Sequence, residues 1–159
     1  MLKILPYDKN HIDKSYGFLM DSFQISWGPD KAKWPNGLGS YPLEQYRTDI
    51  EKLLTYNSVA IFSVFHGDQT VGQIELRKLK DGSGFVSFYY LVPEFRNKGL
   101  GKQLDDFAIN ELKRRGCTRV RLTVGELNKA AQRFYEKSGW KLLGADPTRP
   151  QGLTMEKEI

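Results

Sequence analysis

The stretch VPEFRNKGLGKQL, Val92 to Leu104, decides the fold because it joins a run typical of a β-strand to a run with helical periodicity. The turn carries three basic residues and two glycines: Arg96, Lys98, Lys102, Gly99 and Gly101. The first amides of a helix have no acceptor within it, and the aligned peptide dipoles add partial positive charge there. Glycines leave those amides accessible. The stretch therefore predicts a phosphate or diphosphate site at the start of a helix.

Two known glycine-rich nucleotide sites fit this turn less well. A P-loop needs Gly-x-x-x-x-Gly-Lys-Ser/Thr, whereas these glycines are two apart and Gln103 follows the lysine. A dinucleotide-binding fingerprint needs a third glycine where Leu104 stands. Taken alone, the pattern fits a flexible strand–helix corner with solvated lysines as well as it fits an anion site.

The composition predicts one folded domain over residues 1–159. Hydrophobic residues make up 40% and charged residues 27%, which argues against a disordered chain. No apolar run approaches the ~20 residues of a membrane helix, and the first residues lack the apolar core of a signal peptide. The single cysteine, Cys117, excludes an internal disulfide and favours a cytoplasmic location. His11 and His66 match no metal-ligand spacing, so no metal is expected.

The periodicity of apolar residues predicts seven strands and four helices. The strands are predicted at 2–7, 59–66, 70–79, 83–92, 118–124, 140–144 and 152–159, and the helices at 8–23, 43–56, 99–116 and 128–139. The connection 24–42 is long and rich in Gly, Pro and Trp, which indicates a lid or binding loop. A central meander and two strand–helix–strand units predict an α/β (α+β) fold, with a mixed central sheet and helices on both faces.

Two motifs together resemble the GNAT superfamily of acyl-CoA-dependent N-acetyltransferases. RNKGLG, 96–101, is similar to the family signature Arg/Gln-x-x-Gly-x-Gly/Ala after a strand, and VPEFR resembles its usual lead-in. The segment 121–140, RLTVGELNKAAQRFYEKSGW, resembles the second cofactor segment of the family, with matches at Asn128, Ala131, Phe134, Tyr135 and Gly139. The resemblance covers residues 83–153. It implies a mostly antiparallel sheet of about seven strands, in agreement with the predicted order of elements.

The resemblance implies that acetyl-CoA is bound as the acyl donor. Its diphosphate would lie on the amides of residues 97–102, and its pantetheine arm along the strand end at Leu91 and Val92. The implied cofactor-binding residues are Leu91, Val92, Arg96, Asn97, Lys98, Gly99, Leu100, Gly101, Lys102, Asn128 and Tyr135.

In the family, the strand that carries the pantetheine separates from the next strand and opens a slot. Pro93 is predicted to stand where the two strands part, because proline has no N–H for a strand ladder. Asn128 would contact the pantetheine, cap its helix, or do both.

The resemblance also implies direct attack of a neutral amine on the thioester. Tyr135 aligns with the family's tyrosine that protonates the leaving thiolate, and a phenol with a pKa near ~10 is protonated at neutral pH. The amide of Val92 would donate to the tetrahedral oxyanion. Glu75 and Glu126 are candidates for the general base, although either could be a solvated surface carboxylate.

The implied acceptor is a primary amine on a small molecule or a peptide, and no motif chooses between them. Trp27, Trp34 and Tyr41 on the connection 24–42 could cover an apolar substrate or face the cation of an amine. They could equally anchor the connection to the body of the protein. The resemblance allows a homodimer, since members of the family often dimerise.

Two other functions remain open. A non-catalytic acyl-CoA sensor would share the phosphate turn, although Tyr135 argues for catalysis. The net charge of +5 is compatible with nucleic-acid binding, yet 19 acidic residues balance much of the positive charge and no nucleic-acid motif is found. We therefore expect neither nucleic acid nor a membrane as a partner.

Overall fold

The computed structural model describes residues 1–159 and contains one seven-stranded sheet. Its strands are β1 Leu2–Pro6, β2 Val59–His66, β3 Gln69–Lys78, β4 Gly84–Leu91, β5 Arg119–Gly125, β6 Lys141–Ala145 and β7 Gly152–Glu158. Their order across the sheet is β1-β2-β3-β4-β5-β7-β6. All neighbouring strands are antiparallel except β4 and β5, which are parallel. The predicted mixed, mostly antiparallel sheet is confirmed.

Helices cover both faces of the sheet: α1 Ile12–Trp27, α2 Leu43–Leu53, α3 Leu100–Arg114 and α4 Lys129–Lys137. On one face, α3 buries Leu104 and Leu112 in the main core. On the other, Ile50 of α2 packs with Ile61 of β2 in a separate buried cluster. None of the four helices combines the length and the apolar character that a bilayer crossing requires.

The predicted bounds of the first helix are wrong at both ends. Asp8 caps a short 3₁₀ turn, Lys9–His11, and α1 begins only at Ile12. The helix continues to Trp27 and ends at Gly28, whose φ of 85° favours glycine. The predicted loop 24–42 therefore shrinks to residues 28–42, and two 3₁₀ turns, Lys31–Lys33 and Pro35–Ser40, lie within it.

A slot opens between β4 and β5 because the two strands pair only over Gly84–Val86 and Val120–Leu122. A β-bulge lies at the point of separation. Glu75 of β3 faces Phe88 while Leu76 faces Val86, so Ser87 is the extra residue on β4. A bulge bends its strand and increases the local twist. The prediction that the strands part at Pro93 is wrong, since they part at Ser87, well before the proline.

Candidate active site

The turn before α3 presents a row of free backbone amides. Gly99 is the N-cap of α3, has a left-handed φ of 74°, and has no side chain to cap the helix. Asn97 also has a positive φ, of 57°. The amides of residues 97–102 donate to no acceptor within the chain. The helix start thus has the unpaired amides that a phosphate site would need.

Glycine is favoured at the two positions of this turn for different structural reasons. No atom lies within 4 Å of a Cβ built on Gly99, so its backbone conformation is what favours glycine there. A Cβ on Gly101 would lie 3.2 Å from the ring of Phe134, because α4 approaches α3 at this point. Leu100, between them, packs against the main core and fixes the turn.

Arg96 makes three contacts that hold it against the protein. Its Nε donates to the carbonyl oxygen of Leu91 at 2.8 Å, and its Nη2 lies 3.1 Å from Oδ2 of Asp21 on α1. The guanidinium also lies over the ring of Tyr90, 5.1 Å from its centre, and the Tyr90 hydroxyl donates to the same Asp21 oxygen. Arg96 therefore connects the phosphate turn to α1 in addition to contributing charge.

The two lysines of the turn are placed differently. Lys102 lines the groove beside the turn and pairs with Asp106 at 2.6 Å. Lys98 is exposed, lies 5.9 Å from the centre of the Phe95 ring, and does not line the groove.

A groove of about 360 Å³ runs from this turn along the end of β4 to α4. The predicted cofactor residues that line it are Leu91, Arg96, Asn97, Gly99, Gly101, Lys102 and Asn128. Asn128 also caps α4, since its Oδ1 accepts from the amide of Ala131 at 3.1 Å. Val92, Lys98, Leu100 and Tyr135 do not line the groove.

A second cavity, of about 510 Å³, lies on the other side of the slot, between α1, α2 and the sheet. It shares four lining residues with the groove: Ser22, Tyr89, Asn128 and Ala131. Glu75 and Tyr135 both line this cavity. The two spaces therefore meet at the slot, with a carboxylic acid and a phenol on the side away from the phosphate turn.

Tyr135 is held by aromatic neighbours. Its ring centre lies 6.2 Å from that of Tyr89 and 5.8 Å from that of Trp140. Burial, reinforced by the charge of Asp105, raises the pKa of the Tyr135 hydroxyl well above its usual value. The hydroxyl is therefore protonated throughout the physiological pH range and available as a proton donor.

Asp105 of α3 is a buried residue that the sequence analysis missed. Its carboxylate accepts from the Tyr89 hydroxyl at 3.2 Å and from Nε1 of Trp140 at 3.1 Å. Lys157 lies 3.5 Å from its other oxygen. Asp105 thus fixes two of the rings that surround Tyr135. An acidic residue next to the apolar stripe of a helix was its only sequence signal.

Of the two predicted base candidates, only Glu75 lines the cavity. Its carboxylate is buried and accepts from Nε2 of Gln73 at 3.1 Å. Burial raises the pKa of the Glu75 carboxyl, opposed by the Gln73 hydrogen bond and the charge of Arg77. Glu126 is exposed on the turn after β5 and lines neither space.

The expected role of the Val92 amide conflicts with its hydrogen bonding. This amide already donates to the carbonyl oxygen of Val71 on β3, at 2.8 Å. In an antiparallel pair, successive residues alternate in the strand toward which their backbone groups point. The amides of Leu91 and Tyr89 therefore point away from β3, toward the slot. The amide predicted for the oxyanion, that of Val92, belongs to the alternate set that points toward β3.

The three aromatic residues of the predicted substrate loop are largely anchored. Trp27 is buried in the last turn of α1, where its Nε1 donates to the Pro150 carbonyl oxygen at 3.1 Å. Trp34 is buried, donates to the Gly28 carbonyl oxygen at 2.9 Å, and does not line the cavity. Trp27 and Tyr41 line the cavity.

Comparisons with known proteins identify relatives of this chain. The acetyltransferase (GNAT) family profile matches residues 20–140. Uncharacterized N-acetyltransferases of Mycobacterium bovis and Mycobacterium tuberculosis are 31% identical over 107 residues, 67% of this chain and 64% of theirs. Spermidine N(1)-acetyltransferase of Thermoplasma acidophilum is 27% identical over 118 residues, 74% of this chain and 71% of that protein.

A solved structure extends the similarity over the whole chain. The PaiA N-acetyltransferase of Thermoplasma acidophilum, in complex with coenzyme A, has a TM-score of 0.79 and covers 100% of this chain and 99% of its own. At 21% identity this likeness shows the fold. The chain spans 64% of the length of the mycobacterial relatives. With the family profile matched over residues 20–140, the chain belongs to the acetyltransferase (GNAT) family.

Proposed function

We propose that the protein transfers the acetyl group of acetyl-CoA to a primary amine by direct attack in a ternary complex. The observation that carries this proposal is the meeting of two spaces at the slot between β4 and β5. One leads to the open amides before α3, and the other holds Glu75 and Tyr135. The relatives that are N-acetyltransferases, and the neighbour that contains coenzyme A, support it.

Acetyl-CoA would lie in the groove. Its diphosphate would accept from the amides of residues 97–102, near Lys102. Its pantetheine arm would follow the β4 end at Leu91 and bring the thioester into the slot. The acceptor would enter the second cavity and approach from the side of α1 and α2. Both substrates then fit at once, as a ternary complex requires.

The reaction needs two proton transfers. Glu75 would accept a proton from the ammonium or attacking amine, directly or through a water molecule, and burial, which raises the pKa of its carboxyl, makes its carboxylate a stronger base than an exposed one. The amine nitrogen bonds to the carbonyl carbon, the C–S bond breaks, and Tyr135 would donate its proton to the leaving thiolate. The products are an acetamide and the free thiol of coenzyme A.

The negative charge on the carbonyl oxygen in the tetrahedral intermediate needs a donor. The amide of Val92 is occupied by Val71, so we assign this role to the β4 amides that point toward the slot, those of Leu91 and Tyr89. Separation from β5 leaves this edge without a strand partner beyond Val86.

A thiol-release assay with acetyl-CoA and a panel of amines tests the proposal, together with calorimetry of coenzyme A binding. We expect binding of coenzyme A and amine-dependent thiol release, with intersecting initial-rate patterns. Parallel patterns would contradict a ternary complex. Binding without release by any amine would favour the acyl-CoA sensor, and no binding would refute the proposed donor.

A further inference from the structure

Three arginines of the chain form no ion pair: Arg77, Arg133 and Arg149. Two of them, Arg77 and Arg149, line the cavity proposed for the acceptor, whereas Arg133 is exposed on α4 and lines neither space. Six other arginines lie beside a carboxylate, so the two cavity arginines depart from the pattern of this protein. A guanidinium is always charged at physiological pH and binds carboxylates through two parallel hydrogen bonds.

The backbone positions of both arginines are fixed. Arg77 lies on β3, and its Nε donates to Oγ of Ser87, the bulge residue of β4, at 3.0 Å. Its terminal nitrogens have no partner within the chain. Arg149 lies between β6 and β7, on a segment that Trp27 of α1 holds through the Pro150 carbonyl oxygen. The side chain of Arg149 makes no hydrogen bond. Both are half-buried, so their charges are partly removed from water.

Two carboxylates line the same cavity, and they differ in the number of hydrogen bonds that they accept within the chain. Asp49 accepts from the hydroxyl of Tyr41 and from Nε2 of Gln45, so it is already held by two donors. Glu75 accepts only from Gln73. The cavity therefore offers a carboxylate with free acceptor capacity for an amine and two guanidiniums for an anion.

From this arrangement we propose that the acceptor is an amine that also carries a carboxylate, as in a free amino acid. The inference rests on the proposed function and specifies the acceptor for the same site. The amine lies toward Glu75 and the slot, and the carboxylate toward Arg77 and Arg149. The aromatic residues Phe23 and Phe88 in the lining accommodate the apolar body of such a molecule. A polyamine without a carboxylate would place extra cations against the two guanidiniums.

Matched pairs of acceptors test this directly. Phenylalanine is compared with phenethylamine, and lysine with cadaverine, with spermidine as the polyamine. Rates are normalised to the fraction of neutral amine, since the carboxylate changes the pKa of the amine. We expect kcat/KM to be about 10- to 100-fold higher for the carboxylate member of a pair, the usual range for a charge-assisted hydrogen bond.

Arg77→Gln and Arg149→Gln should each remove most of that preference, measured as the ratio of kcat/KM within each pair of acceptors. The ratio is the readout because loss of the Arg77 charge also changes the general base, and that change affects both members of a pair. Arg77→Lys, which keeps the charge, should lose less. Arg133→Gln is the matched control, since it removes an unpaired arginine outside both spaces. Coenzyme A binding by calorimetry and the circular dichroism spectrum are measured for every variant, so a misfolded variant is recognised.

The outcomes separate this inference from the proposed function. If amines are acetylated but the carboxylate gives no advantage, or spermidine is preferred, the inference is overturned and the proposed function stands. If the preference exists and survives in both cavity variants, the assignment to these arginines is wrong. If no amine supports thiol release, the proposed function fails and the inference fails with it.

Discussion

Removal of a single hydroxyl group, in Tyr135→Phe, tests the proposed chemistry with little change to the structure. The Tyr135 hydroxyl makes no hydrogen bond within the chain, whereas its ring packs against Tyr89, Phe134 and Trp140. Phenylalanine keeps those ring contacts. We therefore expect the free energy of unfolding to change by less than about 0.5 kcal/mol, because no intramolecular hydrogen bond is lost. For a chain of this size that is a shift in Tm of about 2 °C or less.

The effect on turnover should be much larger. A positioned general acid contributes about 10²- to 10⁴-fold to a rate, which corresponds to roughly 3–5 kcal/mol at 1.36 kcal/mol per factor of ten. Because burial raises the pKa of the Tyr135 hydroxyl, the acid stays protonated across the working range. The deficit of Tyr135→Phe in kcat should therefore be the same at every pH from about 6 to 9. Stopped-flow thiol release with a saturating amine measures it.

Tyr56→Phe serves as the control, because Tyr56 is exposed and lines neither space. It should match the parent protein in rate and in Tm. The reasoning is refuted if Tyr135→Phe retains kcat within about twofold of the parent at all pH values, since a water molecule would then be sufficient as the acid. A fall in Tm of many degrees together with the rate would instead indicate a packing role.

Three further changes have expected outcomes. Glu75→Gln should lower kcat by about 10²-fold or more. Because the pKa of Glu75 is raised in the folded state, the stability of the parent protein should fall as the pH rises from about 4.5 through that pKa. The variant should not show this fall when urea unfolding of both proteins is measured at a pH below and a pH above that range. Gly99→Ala should cost about 1–2 kcal/mol through its left-handed backbone and weaken coenzyme A binding, whereas Gly99→Asn should cost less in both assays. Arg96→Lys should raise KM for acetyl-CoA about tenfold, since lysine cannot keep all three contacts, and a KM equal to that of the parent would show those contacts to be dispensable.

The order of elements could be predicted because each strand and helix has a clear apolar period. The strand predicted at 59–66 agrees with β2, and Asn128 caps α4 as expected. The start of the first helix was misplaced because Asp8 caps a short 3₁₀ turn instead of the α-helix. Its end was misplaced because the helix continues to Ser26 and Trp27, which contact Gly125 and Pro150, residues far along the chain. Local periodicity carries no information about such contacts.

The site could be predicted only in part, and the errors have physical causes. Free amides before α3 follow from the glycine turn, so they are visible in the sequence. The β-bulge at Ser87 depends on the pairing of two strands. Neither the position of the slot nor the direction in which each β4 amide points could therefore be deduced from the sequence. Whether Glu75 or Glu126 faces a cavity is likewise set by which helices cover the sheet.

Helix α1 contacts both strands that border the slot. A Cβ on Gly125 would lie 2.2 Å from the carbonyl oxygen of Ser26, so the end of α1 presses directly on the end of β5. Phe18, two turns earlier, stacks on Tyr90 of β4 at 4.7 Å between ring centres. The helix thus packs on both strands where they diverge. Because Asp21 of the same helix pairs with Arg96, a displacement of α1 would alter the slot and the phosphate turn together. Residues of α1 line both the groove and the second cavity, and Ser22 lines the two together, so this helix forms a wall of each space.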